Sequence, residues 1–262
     1  MLRVRRLSKA FGGVRAVDDC TFTVRRGSVT GLIGPNGAGK TTVFNLITGF
    51  YGPTSGAVYF KGKRIDSLPP HRVARLGIGR TFQLIRLFRG LSVLENLLVA
   101  KKAHHGEGII QALVGTKKCK SDESENIERC MEILGFVSLE GSADTLAGNL
   151  GYGEQKLLEI GRVLALDPEL ILLDEPMAGL ERNMKKKLIG FIRTLRDREK
   201  TFFIIEHDMG TIMDMCDEIV VLDHGTEIAC GTPAEIQANK QVIDAYLGTE
   251  DGFGKKTMAT EG

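Results

Sequence analysis

No run of apolar residues in this chain approaches the roughly 18 that a membrane-spanning helix needs. Charge of one sign is equally scarce. With 35 Lys and Arg against 33 Asp and Glu, the net charge is +2, which makes no global case for nucleic acid or an anionic membrane as partner. The five cysteines (Cys20, Cys119, Cys130, Cys216 and Cys230) are scattered and contain no C-x-x-C pair. They read as reduced thiols, and neither a zinc site nor a disulfide framework is supported. No internal repeat is apparent, and Met1-Leu2-Arg3-Val4-Arg5-Arg6 reads as the start of a strand-like segment rather than as a signal peptide. What is present is 262 residues, 42% hydrophobic and 26% charged. That describes an ordinary intracellular globular chain, able to form one large α/β domain or a main domain with an inserted lobe.

One stretch organises the rest. Gly34-Pro35-Asn36-Gly37-Ala38-Gly39-Lys40-Thr41-Thr42 has the form G-x-x-x-x-G-K-[ST], a loop that binds nucleotide phosphates. Its glycines let successive backbone N–H groups point inward at an anion. In a loop of this form Lys40 is expected to reach the β- and γ-phosphates, and the Thr41 hydroxyl to ligate Mg²⁺. Residues 28–33 read as a buried strand before the loop. Residues 42–48 read as a helix whose positive end faces the phosphates.

Taken in order, residues 2–7 and 20–25 alternate apolar and polar, as half-buried antiparallel strands do, with Phe11-Gly12-Gly13 as a turn between them. Residues 58–65 read as a hairpin turning at Gly62. Pro69-Pro70 opens a short helix that stops near Gly77, and residues 78–82 form a strand ending in Gln83. Helical periodicity follows at Val93, Leu94, Leu97 and Leu98, and again at Ile127, Met131 and Leu134. The polar segment 101–125 between them reads as a loop, in which His104-His105 lack further metal ligands. Lys117, Lys118 and Lys120, followed by Asp122, Glu123 and Glu125, read as a solvated face. The expected organisation is a core of residues 1–83 and 151–248 with a helical lobe at 84–150 inserted, and a frayed tail at 249–262.

Beyond residue 150 buried strands alternate with helices, which predicts a parallel sheet. A helix begins near Gly153, and Leu170, Ile171, Leu172 and Leu173 make a continuous apolar run. A helix over 182–198 keeps Met184, Leu188, Ile192 and Leu195 on one face and Lys185 to Lys187 mainly outside. Residues 201–205 form a second buried strand, followed by a short helix, strands at 218–222 and 226–230, and terminal helical turns.

Asp174-Glu175 closes the first of those strands. Asp174 stands where a carboxylate holds Mg²⁺, and Glu175 where one can polarise a water for in-line attack on a γ-phosphate. His207 follows the second strand, at the sheet end where such folds bind ligands. Leu150-Gly151-Tyr152-Gly153-Glu154-Gln155 precedes a helix and offers a second anion site. Two phosphate-binding elements fit a dimer that shares two nucleotides better than they fit a simple kinase.

These residues resemble the nucleotide-binding subunits of ABC transporters over residues 2–248. Phe11, the loop at 34–42, Gln83, residues 150–155, Asp174-Glu175 and His207 occur in the family order, with Met177 to Glu181 in place of its D-loop. Residues 44–50, 79–83, 87–97, 206–209 and 245–248 are similar to the LivG-type subunits of branched-chain amino acid importers. Importers of urea and other amides are close relatives. The resemblance implies a P-loop NTPase core with an N-terminal antiparallel β layer and a helical lobe, an ABC ATPase fold.

It further implies that Phe11 stacks on adenine, that Gln83 senses Mg²⁺ and the attacking water, and that Glu175 is the catalytic base of an ATPase with His207 beside it. ATP and Mg²⁺ are the implied cofactors, with Thr41, Gln83 and Asp174 at the metal. Leu150, Gly151, Tyr152, Gly153 and Glu154 would act in trans on the nucleotide of a second ATPase subunit, identical or similar. Two permease subunits and an extracytoplasmic binding protein complete the implied assembly, which places the chain on the cytoplasmic face of the membrane. The family pattern begins Leu-Ser-Gly-Gly, whereas here Gly151 stands at the serine and Tyr152 follows. An ATPase of this fold acting on nucleic acid or ribosomes is the competing class. The short lobe without sustained heptads and the low net charge speak against it.

Overall fold

The computed structural model describes residues 1–105 and 117–247, and only the backbone at 102–105 and 117–123. The chain divides into two compact units. One contains Met1–Ile78, Leu170–Pro176 and the chain from Arg193 onward; the other contains Gly79–Glu169 and Met177–Ile192.

In the first unit, strands β1 (Leu2–Phe11) and β2 (Val14–Val24) pair antiparallel, with Leu2 opposite Val24 and Val4 opposite Phe22. β4 (Ser55–Phe60) flanks β1 on its other side, and β5 (Lys63–Arg64) closes the hairpin. The strands run further than the alternation of 2–7 and 20–25 indicates. Register shifts between Val4 and Leu7 and beyond bulge the ladder, and Arg6 and Asp19 turn to positive φ. A bulge breaks the period-two pattern without ending the strand.

The second sheet of this unit is built on β3 (Val29–Ile33), which lies parallel between β8 (Thr201–Ile205) and β9 (Glu218–Asp223). β7 (Leu170–Asp174) pairs parallel with β8, and β10 (Thr226–Gly231) pairs antiparallel with β9. All five residues in each of β3, β7 and β8 are buried, as expected where helices cover both faces. Helix α1 (Lys40–Ile47) follows β3, and α2 (Pro70–Arg75) leads into β6 (Ile78–Arg80), through which the chain leaves the unit. One core joins Leu2, Val4 and Phe22 of the antiparallel layer to Phe44, Leu32 and Phe203. Phe203 lies between Phe22 and Phe44, with ring centroids 5.6 and 5.1 Å away.

The second unit is helical: α3 (Val93–His105), α4 (Lys117–Phe136), α5 (Tyr152–Ala165) and the first turns of α6 (Arg182–Asp197). Gly161 of α5 faces Leu97, Ile133 and Val137, so α3, the end of α4 and α5 meet around a small residue. The expected loop over 101–125 is corrected here, because residues 101–105 continue α3 and 117–125 begin α4. Polar composition misleads there. Between residues 117 and 134 no Gly or Pro interrupts the chain, Lys and Glu are good helix formers, and Glu125 pairs with Arg129 one turn on. The side chains of His104 and His105, the lysines and acids at 117–123, and the tail at 249–262 lie outside the described residues. In the first unit, α7 (Met209–Met215), α8 (Pro233–Ala238) and α9 (Lys240–Leu247) complete the chain.

Phe203→Ala removes the ring that joins the two layers of the first unit. It is expected to cost about 3–5 kcal/mol, read as a lowered midpoint in urea unfolding.

Candidate nucleotide-binding site

The loop at 34–42 connects β3 to α1, and its backbone is held in place by unusually close neighbours. A Cβ on Gly34 would lie 2.1 Å from the Leu222 carbonyl oxygen, and one on Gly39 would lie 2.3 Å from that of Ala16. Gly39 also has φ +95°, in the left-handed region that disfavours side chains. The turn between β9 and β10 braces the loop. Gly225 N–H donates to Ala38 C=O at 3.2 Å, while Gly225 C=O accepts from the Asp18 N–H and the Cys20 thiol. Burial pushes that thiol up to about 11, so Cys20 stays protonated at neutral pH. Lys40 folds its ammonium across the loop and donates to the carbonyls of Gly34 (2.7 Å) and Pro35 (2.9 Å). Pro35 C=O also accepts from Ala38 N–H, which tightens the turn through Asn36 and Gly37. Thr41 and Thr42 lie in the first turn of α1.

Parallel pairing brings the remaining groups of this unit to one sheet edge. β7, β8 and β3 are neighbours in that order. Asp174 is opposite Ile205 in the register, and the phosphate loop, His207 and Asp174-Glu175 therefore all leave the C-terminal ends of adjacent strands. Asp174 is buried. Glu175 is half-buried at φ +49°, and its N–H donates to Ile205 C=O at 3.0 Å. The His207 side chain is 56% exposed, which leaves its imidazole accessible, with Nδ1 3.9 Å from Oε2 of the buried Glu206. Asp208 caps α7 by accepting from Thr211 N–H.

Phe11, at the end of β1, stands edge-on to Tyr51 with centroids 5.2 Å apart, and the Lys9 ammonium lies over both rings. Tyr51 and Lys9 were not anticipated from the sequence. The available signal was a pair of aromatics, Phe50 and Tyr51, held at the surface just after α1.

In the second unit, Gln83 is exposed in the segment after β6. Gly151 is the N-cap of α5, in extended geometry, and its N–H donates to Glu154 Oε2 at 2.9 Å. Gln155 Nε2 donates to Leu150 C=O, so the approach to the helix is held from both sides. Tyr152 is 53% exposed, and its ring packs on Gly179, where an added Cβ would come within 2.8 Å. Behind Gly153 lies Met184 of α6. Further along α5, Glu159 is buried and Arg162 half-buried. Burial raises the Glu159 carboxyl and lowers the Arg162 guanidinium from their usual ranges.

Asp174 and Thr41 offer hard oxygen donors, which suits Mg²⁺. Among the described residues no cluster of three or more His, Cys, Asp or Glu could itself hold a metal. No helix among them is long and apolar enough to cross a membrane.

A buried parallel strand running into a glycine-rich phosphate loop, with acid and histidine at the ends of the next two strands, defines a P-loop ATPase core. The ABC transporter family matches residues 17–178, and the chain belongs to that family. Residues 227–252 match the branched-chain amino acid ATP-binding cassette transporter family. The high-affinity branched-chain amino acid transport ATP-binding protein LivG of Salmonella typhimurium is 43% identical over 95% of this chain and 98% of its own length. BraF of Pseudomonas aeruginosa, described in the same terms, is also 43% identical with the same coverage. A crystal structure of the ADP conformation of an ABC transporter ATP-binding cassette superposes with TM-score 0.81 at 34% identity, covering 95% of this chain and 99% of that one.

Gly39→Ala places a methyl group against the Ala16 carbonyl in a left-handed conformation. It is expected to weaken ATP binding about 10- to 100-fold, measured by titration calorimetry.

Proposed function

We propose that this chain is the ATP-hydrolysing subunit of an importer of branched-chain or related amino acids. The observation that carries the reading is the convergence of the phosphate loop, Asp174-Glu175 and His207 at the ends of three adjacent parallel strands. Backbone N–H groups of the loop, those of Asn36, Gly37 and Gly39 among them, and the N-terminus of α1 bind the triphosphate, and Lys40 reaches its β- and γ-oxygens. Thr41 and Asp174, with Gln83 as the further residue assigned to it, would hold Mg²⁺, which would supply positive charge against that developing on the transferred phosphoryl group. Glu175 accepts a proton from the attacking water, and His207 hydrogen-bonds the γ-phosphate and keeps that water in line. Phe11, paired with Tyr51, offers an aromatic face for adenine.

Leu150 to Glu154 act on the nucleotide of a second ATPase subunit. The N-terminus of α5 presents backbone N–H groups and a positive dipole end to that γ-phosphate. Closure of two subunits then depends on intact ATP, because each triphosphate bridges both; hydrolysis releases them. In the assembly the pair sits on the cytoplasmic face of two permease subunits that receive the solute from an extracytoplasmic binding protein. The sequence relationship to LivG and BraF supports the amino-acid substrate.

Glu175→Gln keeps shape and removes the base. Hydrolysis is expected to fall about 10²- to 10⁴-fold while ATP drives a stable dimer in size-exclusion chromatography. Wild-type turnover by this variant would overturn the assignment. Gly151→Ser tests the second anion site. A Cβ there meets only Glu154 Oε2, at 3.5 Å, so a hydroxyl can be added without displacing backbone. A hydrogen bond to charged phosphate is worth about 1.5–3 kcal/mol, so ATP-dependent dimerisation is expected to tighten about 10- to 100-fold.

A further inference from the structure

Glu159 and Arg162 lie one turn apart on α5, the second and third turns beyond Gly151, and both reach the segment that follows β6. The Glu159 carboxylate accepts from the backbone N–H of Arg86 at 3.3 Å and from that of Phe82. It therefore pins both ends of the loop Gln83-Leu84-Ile85, whose Leu84 is 78% exposed. Arg162 takes hold of the same segment on its other side. Its Nη1 donates to Arg86 C=O, and its guanidinium lies over the Phe88 ring at 4.9 Å. The Arg86 guanidinium in turn covers Phe82 at 4.4 Å.

A second set of bonds ties the continuation of this segment to the residues leading into Gly151. Leu91 C=O accepts from Ala147 N–H and Arg89 C=O from Gly148 N–H, while Val93 N–H donates to Thr145 C=O. Asn96, fully buried, accepts from Phe88 N–H and donates to the carbonyls of Phe88 and Ser92. Burying a carboxylate and half-burying a guanidinium is costly, and neither is needed to pack a helix. What they accomplish is to fasten the loop Gln83-Leu84-Ile85, through the Phe82 and Arg86 that flank it, to the helix that carries the second anion site.

We propose that Glu159 and Arg162 are positioning residues that make the Gln83 loop and the Gly151 end of α5 one mechanical piece. A change sensed at Gln83 is then transmitted to the group that meets the other subunit's phosphate. This rests on the roles given above to Gln83 and Gly151.

The test uses the full chain. In Glu159→Ala the amides of Phe82 and Arg86 are expected to exchange with deuterium about tenfold faster, and kcat for ATP hydrolysis to fall about tenfold or more while the ATP Kd stays within about twofold. Glu159→Gln, which keeps one carbonyl acceptor, is expected to recover most of both losses. Arg162→Lys, which loses the Nη1 bond to Arg86 C=O and the stacking on Phe88, supplies the same kcat-against-Kd comparison should Glu159→Ala fail to fold. Released amides with kcat unchanged, or amides that remain protected, would overturn the proposal. Glu175→Gln in parallel separates the two readings: turnover by that variant defeats the site assignment, whereas an inactive Glu175→Gln beside a fully active Glu159→Ala defeats only the clasp.

Discussion

Most of the first unit depends on the burial of β3 between β8 and β9. That strand delivers the phosphate loop, and it can do so only because its neighbours come very close. The Leu222 carbonyl leaves no room for a side chain at residue 34, and the Ala16 carbonyl leaves none at residue 39. The loop is therefore shaped by β9 and β2 as much as by its own glycines. Its Gly225 brace links the loop through Asp18 to the antiparallel layer. Preorganisation of this kind lets backbone N–H groups face an anion without reorganising when it arrives.

The elements that carry chemistry were legible because each combines a buried strand with a chemically specific end. Residues 170–174 and 201–205 form the strands expected of continuous apolar runs, and the phosphate loop lies between strand and helix as its glycine spacing requires. Less legible was anything governed by a local break in pattern. The bulges near Arg6 and Asp19 conceal half the length of β1 and β2. The charged start of α4 resembles a loop because its apolar face appears only from Ile127 on. Tyr51 beside Phe11, and Glu159 beneath Arg86, join residues 40 or more positions apart, and no periodicity carries such pairings. Acidic and basic residues within an otherwise apolar helix face were the one available clue to the clasp on α5.

The departure at Gly151 and Tyr152 also gains a physical reading. Gly151 retains the extended N-cap geometry, with Glu154 reaching back to its N–H, so half of a capping box survives without the hydroxyl. The Tyr152 ring lies on Gly179, a residue with φ +73° and no side chain to displace it. Tyrosine here thus presupposes glycine in the turn before α6. The two substitutions relative to the family pattern are accommodated by different means: one by a partner on its own helix, the other by space in a neighbouring turn.

Glu175 brings these constraints to one residue. A non-glycine side chain at φ +49° costs roughly 1–3 kcal/mol, and it persists only where surroundings over-determine it. The bond from Glu175 N–H to Ile205 C=O supplies that restraint, since Ile205 is the last residue of β8 and lies two positions before His207. Glu175, proposed above as the general base, and His207 are consequently linked through a main-chain contact between neighbouring strands. A relaxed backbone at residue 175 would free the carboxylate from the direction that this contact imposes, whatever the side chain itself retained.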